Sequence, residues 1–250
     1  MPDITLNIKP LLQRLSRIAE NCGRQAGDIQ VLAASKTQNH QIIEAAYNAG
    51  LRAFGENYLQ EALEKMEQLT HLDIDWHFIG PIQANKTRSI AERFCWVHSV
   101  DRLKIAQRLS SQRPAHLPPL NVCLQVNIDE ESSKSGMTAA EAKSIAPLVA
   151  RLPNLKLRGL MAIPRAETTP EKQRLPFFRL RQLLDTLETL SPELAEMDTL
   201  SMGMSADMEA AIAEGSTIIR VGTAIFGQRK TALETSSPDS QNPTNSNIAE

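Results

Sequence analysis

"QVLAASKTQNHQIIEAAYNAGLRAFGEN", residues Gln30 to Asn57, decides the fold. Its first apolar run, Gln30 to Ser35, has the length of a buried strand and stops at Lys36. A helical pattern follows, with Asn39 placed as N-cap and Gly50 as its stop. A second strand-like run, Arg52 to Asn57, comes next. Two strands joined through a helix pair in parallel by a right-handed crossover, so this stretch predicts a βαβ unit.

The same rhythm runs on to the end of the pattern. "DWHFIG", "CWVHSV", "LNVCLQVNI", "LKLRGLMAI", "MDTLSMG" and "STIIRVGTAIFG" read as further strands. "YLQEALEKMEQL", "NKTRSIAERF", "DRLKIAQRLSSQ", "TAAEAKSIAPLVARL", "PFFRLRQLLDTLETL" and "SADMEAAIAEG" read as the helices between them, with Asp101 and Thr138 opening two. Ahead of the first strand, Leu6, Leu11, Leu12, Leu15, Ile18 and Ala19 recur at helical spacing. Eight strand–helix units in a chain of 250 residues predict a single α/β domain, a closed (β/α)8 TIM barrel with an extra N-terminal helix. An open doubly wound sheet is the competing architecture. The barrel is expected over residues 1–229, and residues 230–250, rich in Ser, Thr, Asn and Pro, are expected to be a disordered tail.

Composition removes several function classes. A net charge of −2 and an aromatic share of 4% offer neither a basic footprint nor a stacking surface for nucleic acid. Cys22, Cys95 and Cys123 form no CxxC pair, which argues against a zinc site or disulfide framework and fits a reducing compartment. His40, His71, His98 and His116 share no metal-ligand spacing and are expected on the surface or in caps; Phe54, Trp76, Phe78 and Phe226 are expected in the core. The N-terminal stretch lacks the apolar centre of a signal peptide, and no run reaches the ~20 apolar residues of a spanning helix. The expectation is a soluble cytoplasmic protein.

Barrel active sites lie where strands end, and Lys36 ends the first. It has two readings: a solvated residue that starts a loop, or a partly desolvated amine able to form an imine with a carbonyl. Asn57, His77, Ser201 and Arg220 are polar residues at or near other strand ends. "SMGMS" and "VGT", at the ends of the seventh and eighth strands, carry small residues where such barrels hold phosphate. Ser201, Ser205, Gly222 and Thr223 are therefore candidate phosphate donors, or else residues of ordinary turns. An imine lysine and a phosphate cup on one rim point to pyridoxal 5'-phosphate. Were Arg220 to face the pyridine nitrogen, its fixed charge would keep that nitrogen unprotonated and weaken the ring as an electron sink; an ion pair that orients a loop is the alternative.

"WHFIGPIQANK", Trp76 to Lys86, together with "AASKTQ", "FGENYLQEA", "KSGM", "RGLMAIP", "LSMGMSADMEAAI" and "IRVGTAIFG", resembles the pyridoxal phosphate homeostasis proteins, the alanine racemase N-terminal-domain-like family. The likeness runs from about residue 5 to 229 with the motifs in the family's order. It implies a fold type III barrel with Lys36 as the Schiff-base lysine and Arg220 at the pyridine nitrogen. It further implies Ser201, Ser205, Gly222 and Thr223 around the phosphate, Asn57 and His77 beside the cofactor, and Lys134 near the site mouth. One departure is Gln38, where close relatives often carry a second lysine. The implied function is binding, buffering and delivery of pyridoxal phosphate to apo-enzymes by a monomer. Barrel racemases add a second domain and a second base, usually tyrosine; here the tyrosines are Tyr47 and Tyr58, both in early helices. Little or no catalytic turnover is therefore expected. An amino-acid racemase or related pyridoxal phosphate enzyme, and a cofactor-free aldolase-type enzyme using Lys36 directly, are the alternative classes.

Overall fold

Val31 to Ala34 alternate between two buried faces, which is why they form a strand covered on both sides. In the computed structural model, which describes residues 4–131 and 134–227, this strand is β1 (Gln30–Ala34). It follows helix α1 (Thr5–Asn21) and a short 3-10 turn. The chain then alternates through α2 (His40–Asn48), β2 (Ala53–Glu56), α3 (Leu59–Gln68), β3 (Asp75–Phe78), α4 (Thr87–Arg93), β4 (Trp96–Val100) and α5 (Leu103–Gln112). The second half continues with β5 (Leu120–Gln125), α6 (Ala139–Ala150), β6 (Leu155–Met161), α7 (Pro170–Glu188), β7 (Thr199–Ser201), α8 (Met208–Ala213), β8 (Ile218–Val221) and α9 (Thr223–Phe226). Each strand pairs in parallel with the next, and β8 closes on β1 with Leu32 opposite Arg220. The expected (β/α)8 barrel, with α1 as its additional helix, is the observed architecture. The expected tail, 230–250, lies outside the described residues.

Strand alternation sorts side chains into two cores. Ala33, Phe54, Trp76, Phe78, Val97, Leu160, Ile219 and Val221 point outward and pack under the helices. Leu32, Ala53 and Ile218 point inward with Ile79 and Trp96 and fill the barrel floor. Phe226, expected in the core, is half-buried and packs against it. On α1 the buried stripe is Ile8, Leu11, Leu15, Ile18 and Ala19, whereas Leu6 is 70% exposed and Leu12 39%. The stripe packs on α8 and α9, and the Asn7 side-chain amide donates to the Ile225 carbonyl at 2.9 Å.

Helix starts follow the caps, with instructive exceptions. Asn39 accepts from the Ile42 amide at 2.9 Å, as its position in the sequence implies. Thr138 and Glu141 form a reciprocal capping box, with bonds of 3.2 Å to the Glu141 amide and 2.8 Å from the Thr138 amide. Thr138→Ala is expected to cost about 1 kcal/mol, read as a lower urea midpoint at unchanged slope. Asp101 does not cap α5; its carboxylate pairs with Arg102 at 2.7 Å, and Arg102 is the N-cap residue. Helix α7 starts at Pro170, ahead of the expected Pro176, because Thr169 caps it and Pro170 fits the first turn. The final apolar run is not one strand: β8 stops at Val221, and "TAIF" coils into α9. Among the described residues no helix is long and apolar enough to cross a membrane, and no cluster of three His, Cys, Asp or Glu could hold a metal.

Candidate functional site

One step along β1 past Leu32 and Ala34, the inward-facing register reaches Lys36 at the C-terminal rim. There a cavity of ≈ 360 Å³ opens, within the range typical of small-molecule sites. Lys36, Asn57, Ser205, Arg220, Gly222 and Thr223 all line it, with Ile163, Met204 and Phe226 as apolar wall. Six of the residues singled out from sequence thus converge, from the ends of β1, β2, β7 and β8. A larger hollow of ≈ 680 Å³ runs along α1 between Leu6, Ile8, Pro10 and Leu12. Its polar lining, Thr5, Lys9, Gln13 and Ser16, comes from α1 alone, whereas the rim cavity gathers polar groups from four strand ends, where barrel sites lie.

The donors around the rim cavity differ in kind. Thr223 begins α9 with Gly222 as its N-cap residue, so first-turn amides sit beside the cavity. A Cβ at Gly222 would meet nothing nearer than the Ala34 carbonyl oxygen at 3.4 Å, so protein packing does not require glycine there. Ser205 lies in the turn before α8, which begins at Met208 and not at Ser205 as the sequence implied. Asp207 explains the delay, because its carboxylate takes the Met204 amide at 2.5 Å and holds the chain in a turn. Asn57 Oδ1 is buried and has no hydrogen-bond partner among the described residues.

Arg220 rises from β8 and is 6% exposed. Its Nη1 donates to the Ser201 carbonyl at 2.5 Å and the Ser201 hydroxyl at 2.8 Å, and Nη2 donates to the Ala162 carbonyl at 2.8 Å. These bonds fix the guanidinium plane. Burial pulls its pKa down to about 10, which leaves it cationic at neutral pH.

Two expected cavity residues lie a layer lower. Ser201 is fully buried; its hydroxyl sits 2.7 Å from His98 Nδ1 and accepts from Arg220, so it supports the arginine and not the cavity wall. His77 is also fully buried, with Nδ1 2.8 Å from His98 Nε2 and its ring stacked on Trp96 at 5.4 Å. Strand alternation explains both, since His77 and Ser201 point into the barrel below the rim. His98, expected on the surface or in a cap, is the central link of this chain. Burial drives the pKa of His77 down to about 3 and that of His98 well below the ordinary histidine value, with His77 and Arg220 adding repulsion at His98. Lys134 pairs with Glu131 at 2.6 Å and Asp129 at 3.9 Å in the loop after β5 and is not part of the cavity lining.

Residues that sequence reasoning passed over surround Lys36. Glu56 is fully buried, takes the Ser35 hydroxyl at 2.5 Å and pairs with Lys65 Nζ at 2.8 Å. Burial raises the Glu56 pKa, and Lys65 and Ser35 pull against that rise. The signal was present in "AFGE": a carboxylate on a strand buried along its length needs a partner.

Comparison with known proteins gives consistent likenesses. Residues 7–230 match the alanine racemase, N-terminal domain family. A pyridoxal phosphate homeostasis protein of Pseudomonas aeruginosa is 56% identical over 229 residues, covering 92% of this chain and 97% of its own. One from Escherichia coli is 50% identical over 232 residues, covering 92% and 98%. Among solved structures, PipY of Synechococcus elongatus with PLP bound is 36% identical with a TM-score of 0.75, covering 85% of this chain and 99% of that one.

Proposed function

The chain belongs to the alanine racemase N-terminal-domain family and, within it, to the pyridoxal phosphate homeostasis proteins, and from that premise we propose that it binds pyridoxal 5'-phosphate at the rim cavity, with Lys36 as the attachment point. The observation that carries this is the donor set: one amine, the fixed cation of Arg220, the hydroxyls of Ser205 and Thr223, and the unpartnered Asn57 oxygen, all on one cavity. Each suits a part of the cofactor: an aldehyde, a pyridine nitrogen, a phosphate and a ring substituent. The tolerance of the packing at Gly222 for a Cβ leaves close approach of the phosphate as the reason for glycine there.

When bound, the cofactor supplies an aldehyde and an electron-withdrawing ring. The protein supplies the rest. Lys36 would give the amine, Arg220 would keep a ring nitrogen placed beside it without a proton, and the hydrogen bonds to Ser201 and Ala162 hold Arg220 in place. Among the described residues the cavity lining includes no tyrosine, histidine or carboxylate to serve as a second base. That composition favours holding and handing on the cofactor over turnover. Intracellular buffering and delivery to apo-enzymes, by a cytoplasmic monomer whose functional unit is the barrel of residues 1–229, is the role we assign.

The purified chain given pyridoxal phosphate is expected to develop a visible absorption band that Lys36→Ala lacks. Borohydride reduction followed by peptide mass analysis is expected to put the label on Lys36. A label found mainly on another lysine would overturn the assignment.

A further inference from the structure

One buried charge cluster brackets Lys36 on both sides. Before it, Ser35 donates its hydroxyl to Glu56 at 2.5 Å, and its carbonyl accepts from Lys65 Nζ at 2.8 Å and from the Gln38 amide at 3.0 Å. After it, Thr37 stands at φ +67°, and its amide donates to Glu61 Oε1 at 2.5 Å. Glu61 in turn pairs with Lys65 at 2.6 Å, one helical turn along α3. Lys65, 5% exposed, therefore joins Glu56, Glu61 and the Ser35 carbonyl.

We infer that Glu61 and Lys65 are positioning residues for Lys36: they hold the Ser35–Gln38 turn in the left-handed form that aims the lysine into the cavity. The inference rests on the attachment at Lys36 proposed above. A β-branched residue at positive φ is a steric outlier. Such strain persists where the surroundings over-determine it, and it collects at functional sites. Here the surroundings are named: a carboxylate on the Thr37 amide, and an ammonium helping to close the turn at the Ser35 carbonyl. A simple anchor between β2 and α3 would need the Glu56–Lys65 pair alone. Glu61 does more than pair with Lys65: the same carboxylate oxygen reaches the strained Thr37 amide beside the lysine.

Attachment condenses the Lys36 amine with the aldehyde. A C=N bond forms, the C=O bond breaks, and the oxygen leaves as water with the two amine hydrogens. The rate depends on how well the amine is held against the aldehyde carbon.

The test uses the full chain with two probes. Pyridoxal 5'-phosphate reports attachment through the growth of its absorption band, and pyridoxine 5'-phosphate, which has no aldehyde, reports non-covalent binding. Glu61→Ala is expected to slow attachment roughly tenfold, the scale of losing one hold on a strained residue, while pyridoxine 5'-phosphate affinity shifts less than about twofold. Glu61→Gln, which keeps an acceptor, is expected to retain most of the rate. Thr37→Gly in the Glu61→Ala background is expected to recover most of the loss, because glycine takes positive φ without a hold. An unchanged rate in Glu61→Ala, equal losses for both probes, or no recovery with Thr37→Gly would each overturn the positioning role. Failure of the unsubstituted chain to attach the aldehyde at Lys36 would instead overturn the reading beneath it, and this inference with it.

Discussion

Acidification from about pH 7 to about pH 4 is expected to destabilise the fold, and His77 and His98 set the slope. Both rings are fully buried on adjacent strands and share a 2.8 Å bond. A proton added to the pair would sit with no acceptor at His77 Nε2 among the described residues, beneath the stacked Trp96 ring and within reach of the Arg220 cation through Ser201. Burial therefore holds His77 near a pKa of about 3 and His98 well below 6.5. As pH falls below the ordinary histidine value, the unfolded chain takes up protons that the folded chain refuses. Stability is then lost with falling pH, from about pH 6.5 downward, at up to about 1.4 kcal/mol per pH unit for each ring. Glu56 has the opposite sign, because its folded pKa is raised by burial; its share of stability falls as pH rises above the unfolded carboxylate value. In that lower window it offsets part of one histidine, and the net slope keeps the sign of the pair. Urea midpoints across this range measure the effect. His77→Phe keeps a ring beside Trp96 and removes one titration, so it should flatten the slope by about half while lowering stability at neutral pH. Ring resonances assigned to His77 or His98 that titrate near pH 6.5 in the folded chain would refute the account.

That buried chain marks where the sequence was legible and where it was not. The strand–helix alternation was plain, because parallel strands covered on both faces read as short apolar runs between helical periods. Lys36, Asn57, Arg220 and the loops after β7 and β8 followed from the rule that strand ends build the rim. His98 was misread because histidine spacing was weighed against metal geometry, whereas its place in "CWVHSV" held the information. A polar residue inside a strand buried on both faces must find an inward partner, and His77 lies on the neighbouring strand. The last strand was overextended because "TAIF" is apolar and short, a pattern that strand and helix turn share. The Glu56–Lys65–Glu61 cluster was hidden for another reason. Its pairing is set by how α3 docks beside β1 and β2, which no local spacing encodes beyond Glu61 and Lys65 standing four apart.

Gly159→Ala is expected to break the barrel between β6 and β7. Gly159 lies opposite Thr199 in the β6–β7 ladder. A Cβ there would overlap the Thr199 carbonyl oxygen and lie 2.6 Å from its carbonyl carbon and 3.0 Å from its Cα. All of these are backbone atoms, so no rotamer change can relieve the clash; the strand itself must move. Strand β7 is short, three residues long, and pairs in register with β8 at Ser201–Ile218. Its hold on β8 includes the backbone bonds from the Thr217 amide to the Leu200 carbonyl and from the Met202 amide to the Ile218 carbonyl, which such a move would strain. On its other side β6 is already irregular, with a register shift between Val122 and Cys123 that leaves Arg158 as the extra residue before Gly159. Pushing β7 outward would part Leu160 from Leu200 and Met161 from Ser201. Ser201 carries the carbonyl and hydroxyl that hold Arg220, so the damage reaches the cavity directly. The expected loss is on the order of 4 kcal/mol or more, the range of forced overlap in a packed core, seen as insoluble expression or a collapsed urea midpoint. A milder, folded outcome is still decisive: the cofactor band should weaken with the midpoint, since one strand serves both. A Gly159→Ala chain with the parent's midpoint and full cofactor band would show that β6 and β7 can separate without cost, and would refute this reading of the closure.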